Sequence, residues 1–156
     1  MARITAEEKE QKKQMMDELI FQIFITEGWE AITYDRLAKE LNVRKSSIQS
    51  YYSKNIMFAT ALQGRVFPIV IEKLDFNSKD AFINSWLAAY HDEESHIFKE
   101  VVKMLLHNII KNGTSPYSKG AILRLQNMLG QNIGPHDADR AIKIVLGETL
   151  YSQMSI

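Results

Sequence analysis

Between Thr33 and Ser53 the chain reads TYDRLAKELNVRKSSIQSYYS, a spacing of small, turn-forming and apolar residues that admits two short helices crossing over a tight turn. Helices that cross steeply need a small side chain at the crossing, supplied by Ala38, and a turn residue that tolerates positive φ, supplied by Asn42. Leu37, Leu41, Val43 and Ile48 are then expected to face inward beneath the turn. Left outside are Lys45, Ser46, Gln49 and Ser50, side chains short or polar enough to reach base edges and phosphates in a major groove. The alternative is a structural three-helix unit whose polar face is merely solvated. Agreement between the apolar pattern, the charge pattern and the helix caps favours a DNA reader.

Charge supports this locally rather than globally. The 19 basic and 19 acidic residues cancel, so no overall field draws the chain onto nucleic acid. From Leu41 to Ile71, however, Arg44, Lys45, Lys54 and Arg65 occur with no Asp or Glu, a local charge of +4. Binding through such a segment would be driven by counterion release and weakened by salt.

The rest of the chain reads as helices. Thr5-Ala6-Glu7-Glu8 is a capping box, and Met15, Met16, Leu19, Ile20, Ile23 and Phe24 recur at helical spacing, which predicts a first helix from Ala6 to Glu27 with Gly28 as a left-handed cap. Thr33 caps the second helix and Asp35 sits in its first turn, favourable to the helix dipole. The third is expected from Lys45 to Tyr51, and the fourth from Asn55 to Leu74 with a bend at Pro68. Asn77-Ser78 opens a fifth, Asp92 caps a sixth ending at Gly113, Ser115-Pro116 opens a seventh, and Gly134-Pro135 precedes the last, from His136 to Met154. No segment alternates with strand period, so the expectation is an all-α fold of about eight helices.

Composition excludes several classes. The absence of cysteine rules out disulfide frameworks and thiolate metal sites. The charged start, MARITAEEKEQKKQ, does not suit a signal peptide, and no apolar run approaches a membrane span, so a cytoplasmic protein is expected. No Ser-His-Asp set, phosphate-binding loop or zincin pattern occurs, so no enzyme, cofactor or metal is expected. His91, Glu94 and His96 could suggest a metal site, but Asp92 and Glu93 beside them are better explained as helix-capping acids.

The first 65 or so residues resemble the DNA-binding head of the TetR family of bacterial transcriptional regulators. The similarity rests on the first helix ending in Glu27-Gly28-Trp29, the Thr33-capped helix with Leu37-Ala38, the turn Leu41-Asn42-Val43, Ser47-Ile48 and the aromatic pair Tyr51-Tyr52. Arg44 departs from the family's usual Ser or Thr cap, and Lys54 precedes the position where its lysine is expected. The resemblance implies a DNA-binding domain over residues 1–54 and a helical regulatory and dimerisation domain over 55–156, with 55–74 as connector. It implies DNA contacts from Thr33, Tyr34, Arg44, Lys45, Ser46, Ser47, Gln49, Ser50, Tyr51 and Lys54, the phosphates falling to Tyr34, Tyr51 and Lys54.

For the second part it implies a small hydrophobic ligand enclosed by Phe82, Trp86, Tyr90, Phe98, Met104, His107 and Tyr117, although an aromatic stripe is as readily plain core. A dimer interface is expected from Ile122, Leu125 and Leu129 with Ala138, Ala141, Ile142, Val145, Leu146, Thr149 and Leu150, the alternative being a monomer that buries this face within itself. The glycines at 120, 130 and 147 are expected to permit close helix packing. The implied function is a homodimeric repressor on a palindromic operator of double-stranded DNA, released by a ligand. Its rivals are an interaction protein that keeps this scaffold to bind a protein partner, and a small helical ligand carrier or enzyme.

Overall fold

A computed structural model describes residues 4–94, 96–112 and 116–154, the side chains of 63, 112 and 116–118 excepted. Among these residues there are α-helices and short 3-10 segments and no strand. The chain divides into two compact units, Met1–Val66 and Phe67–Ile156.

In the first unit, α1 runs over Ala6–Glu27 and its capping box forms, with Thr5 accepting the Glu8 N–H at 3.0 Å. Gly28 takes φ 96° and ψ 178°, positive in φ but extended rather than left-handed helical, and the chain leaves α1 through a 3-10 turn at Trp29–Ala31. Helix α2, Tyr34–Leu41, starts on Thr33, which accepts from the Arg36 N–H at 3.0 Å. It ends as the turn chemistry requires. Asn42 is left-handed at φ 53°, ψ 48°, its N–H reaches the Lys39 carbonyl, and the Val43 N–H reaches the Ala38 carbonyl at 3.0 Å. These paired bonds form a Schellman cap, which turns the chain directly into α3, Lys45–Tyr51.

Residues Asn55–Ala61, expected as the start of a long fourth helix, are instead 3-10. Thr60 donates its hydroxyl to the Met57 carbonyl three residues back, a local bond that competes with the α-helical ladder. Only Gln63–Glu72 forms the α-helix α4, with Pro68 inside it. Phe58 packs against Tyr34 and Tyr52, with ring centroids 4.9 and 5.3 Å apart, so this stretch closes the core of the head.

The second unit contains α5 (Lys79–Tyr90), α6 (His96–Asn112), α7 (Pro116–Ile133) and α8 (Pro135–Ser152). Ser78 caps α5, accepting from Ala81 N–H at 3.0 Å. Asp92 does not cap α6: its carboxylate accepts from the Glu94 N–H at 2.9 Å, a turn that ends before the helix begins. The expected Gly113 stop and Ser115 cap lie outside the described residues. Gly134 breaks the chain at φ 90°, and Pro135 opens α8 where a missing N–H costs nothing.

Helix α8 lays its small and branched residues against α5 and α7. Ala138, Ala141, Val145 and Leu129 are fully buried there, with Ile142 and Leu125 nearly so. The expectation for the helical glycines is corrected: a Cβ at Gly120 or Gly147 would meet nothing within 4 Å, and one at Gly130 would make only ordinary contact with Ala138 at 3.7 Å. Gly147→Ala is therefore expected to raise stability by about 0.5–1 kcal/mol, read from the denaturant midpoint. A loss of stability would mean that the site is packed.

Candidate nucleic-acid interface

The candidate surface on α3 depends on what lies beneath it. Ile48 and Leu37 are fully buried, fixing the roll of α3 on the head, so that Lys45, Ser46, Ser47, Gln49 and Ser50 are exposed together on its outer side. Arg44, Lys54 and Thr33 are also exposed, while Tyr34 and Tyr51 are half-buried. Arg44 makes no side-chain cap, and α3 nevertheless begins at Lys45, its first turn closed by the Ser47 N–H on the Arg44 carbonyl at 2.9 Å.

Several candidates are already engaged. Tyr34 donates its hydroxyl to the Tyr52 carbonyl at 2.5 Å, so its single donor hydrogen ties the start of α2 to the end of α3 and is not offered to a phosphate. Burial pushes its phenol pKa up. Ser50 donates to the Ser47 carbonyl at 2.6 Å. Leu41 and Val43, expected in the core, are instead half-buried and 40% exposed, because the Schellman turn carries them to the rim of a shallow groove. That groove, about 270 Å³, is lined by Lys12, Met15, Met16, Leu41, Val43, Ser47, Ser50 and Tyr51.

The acid-free segment is not acid-free in space. Arg65 pairs with Glu18 of α1 and lies 3.6 Å from the Phe21 ring centroid. Gln22 and Arg65 together hold the Glu18 carboxyl below its usual range. Lys45 meets the Asp35 carboxylate at 3.2 Å. Of the four cations in the segment, Arg44 and Lys54 make no ion pair among the described residues. A count along the chain could not find these partners, since Asp35 lies just upstream of the segment counted and Glu18 lies far from it in sequence.

Two polar clusters brace the scaffold. Arg36 grips Glu27 through two bonds of 2.5 and 3.0 Å and Glu40 through one of 3.0 Å, joining the end of α1 to α2. The guanidinium holds the Glu27 carboxyl below its usual range. Tyr52, fully buried, donates its hydroxyl to Asp17, and Lys13 lies 2.7 Å from the same carboxylate and 4.5 Å from the Tyr52 ring centroid. Burial, then the adjacent Asp17 carboxylate, pushes the Tyr52 phenol well up.

In the second unit three of the expected pocket residues pack against one another. Phe82, Trp86 and Phe98 pack tilted and edge-on at centroid distances of 6.1 and 5.1 Å, and the Trp86 indole N–H donates to Thr149 Oγ1 at 2.9 Å. Tyr90 is buried and accepts from Gln153, Met104 is nearly buried, and His107 is exposed. The Tyr117 side chain lies outside the described residues. Of the residues expected at an interface, Leu125, Leu129, Ala138, Ala141, Ile142, Val145 and Thr149 are buried inside the protomer, where α8 meets α5 and α7. Ile122 and Leu146 are half-buried at the edge of this core. Exposed are Ile110 on α6, Leu123 on α7, and Leu150, Tyr151 and Met154 on α8 and just beyond it.

Among the described residues no group of three or more His, Asp or Glu could hold a metal ion, and no helix is long and apolar enough to cross a membrane.

An all-α chain with a helix-turn-helix in its first unit and a separate helical second unit has the architecture of a helical transcriptional regulator. Residues 63–152 match the protein family described as the tetracycline repressor LuxT C-terminal domain. That stretch is more than half of the chain, which belongs to the TetR family of transcriptional regulators. Among curated proteins, none matches it.

Proposed function

We propose that the protein is a repressor that binds a palindromic operator as a homodimer, with α3 in the major groove. The observation that carries this is the division of α3 itself, with Ile48 buried and Lys45, Ser46, Ser47 and Gln49 side by side in solvent. Family membership supports the regulatory role. Catalysis has no place in this reading.

Selecting bound duplexes from a random pool tests it: a palindrome is expected, and failure to retain any duplex at low salt would overturn it. On the selected operator, Gln49→Ala is expected to lower discrimination at one base pair by about 1–3 kcal/mol, since a glutamine amide can pair bidentately with adenine. Lys54→Ala should instead weaken all sequences alike and flatten the salt dependence. Parent-like binding by both variants would remove α3 and its flank from the interface.

For the dimer, the exposed Leu123, Leu150 and Tyr151 are the apolar surface that α7 and α8 leave for a second copy. Leu150→Asp is expected to shift the sedimentation equilibrium toward monomer. A ligand that releases DNA would have to open the stack around Trp86, so its binding should change Trp86 fluorescence in step with DNA release.

A further inference from the structure

Every expected contact on the outer side of the head is neutral or cationic except where Lys45 meets Asp35. Asp35 lies in the first turn of α2, where the helix dipole favours its charge, and its carboxylate reaches the first residue of α3 at 3.2 Å. Both side chains stay accessible, Asp35 at 83% and Lys45 at 52%. The pair is therefore open to whatever approaches α3. An exposed ion pair of this kind adds little to folding.

We infer that Asp35 is a positioning residue for DNA selectivity, biasing Lys45 toward the neutral edge of a guanine and away from phosphate. The inference rests on the proposed DNA-reading role of α3. An ammonium carries three donors. Lys45 can therefore keep Asp35 and still donate to guanine O6 and N7, which are acceptors without net charge. A phosphate brings its own negative charge close to the carboxylate. To take it, Lys45 exchanges one anion for another, and the counterion release that normally favours the contact is largely cancelled. Binding to arbitrary DNA, which is almost wholly phosphate contact, is penalised more than binding to an operator with guanine beneath Lys45.

The test uses the full-length chain, its selected operator and a scrambled duplex of equal length, titrated over a range of salt. Asp35→Asn is expected to tighten scrambled-duplex binding by roughly three- to tenfold near about 0.1 M salt and to steepen the salt slope by about one per bound subunit. Operator binding should gain less, so the ratio of the two affinities falls. Asp35→Glu should restore the ratio, and in a Lys45→Gln background the effect of Asp35→Asn should shrink.

Equal tightening on both duplexes, no change on either, or an effect that persists without Lys45 would overturn the inference while leaving DNA binding intact. Failure of the parent chain to bind any duplex would instead overturn the DNA-reading role itself, and this inference with it.

Discussion

Replacing Trp86 by alanine is expected to cost about 3–5 kcal/mol of stability, read as a lower denaturant midpoint by circular dichroism. The indole is almost fully buried and is packed between Phe82, tilted at 6.1 Å, and Phe98, edge-on at 5.1 Å. Deleting it leaves a cavity walled by rigid rings, which relax poorly and lose contacts on one side. Its N–H adds a polar constraint, since Thr149 Oγ1 accepts it at 2.9 Å inside the core. Thr149→Val keeps the shape and removes the acceptor, leaving a buried donor unpaired at a cost of about 1–3 kcal/mol. The two variants divide packing from hydrogen bonding. If Thr149→Val were as stable as the parent, Thr149 would be facing solvent or a second subunit, and the assignment of this helix face to the protomer's own core would fail.

That assignment marks where sequence reasoning reached its limit. Period and caps are local, and they gave α1, α2, α3 and the Ser78 and Gly134-Pro135 boundaries close to where they fall. Ala138, Ala141, Ile142 and Val145 were legible as one apolar face, but periodicity says only that a face is covered, never by which helix. Here α5 and α7 cover it, so that of the residues expected at an interface Leu150 stays exposed, with Leu123 and Tyr151 beside it as further exposed apolar residues. The aromatic stripe of α5 was visible for the same reason, and its mutual stacking was not. Charge behaved likewise: Arg65 and Lys45 read as free cations, although Glu18 and Asp35 meet them once the chain folds. At Asn55–Ala61 the apolar spacing fits either helix type, and the Thr60 side-chain bond, invisible to periodicity, accompanies the tighter form.

Tyr52→Ala is expected to cost about 3–5 kcal/mol and to abolish operator binding, although Tyr52 is fully buried beneath the proposed reading surface. Helix α3 has seven residues, too few to persist by itself, so it holds its shape only while its inner side is packed. Tyr52 follows it directly, filling the space against Phe58, accepting the Tyr34 hydroxyl on its carbonyl and donating its own to Asp17. Tyr52→Phe keeps the ring and loses the bond to Asp17, together with the one its oxygen accepts from Lys13 at 3.3 Å. Asp17 retains Lys13 at 2.7 Å, so the cost should fall to about 1 kcal/mol, with operator affinity unchanged.

The phenol also fixes a pH signature. Its pKa is raised in the folded state by burial and by Asp17, so its stabilising share is complete below the unfolded tyrosine value of about 10. Above that pH the unfolded chain gives up the proton while the folded one retains it, and the share declines as pH rises. The stability gap between parent and Tyr52→Phe should therefore narrow from about pH 8 to about pH 10.5, while contributions from the other tyrosines cancel between the two proteins. A gap that stays constant over that range would mean that the Tyr52 hydroxyl is neither buried nor resting on Asp17 in the folded head.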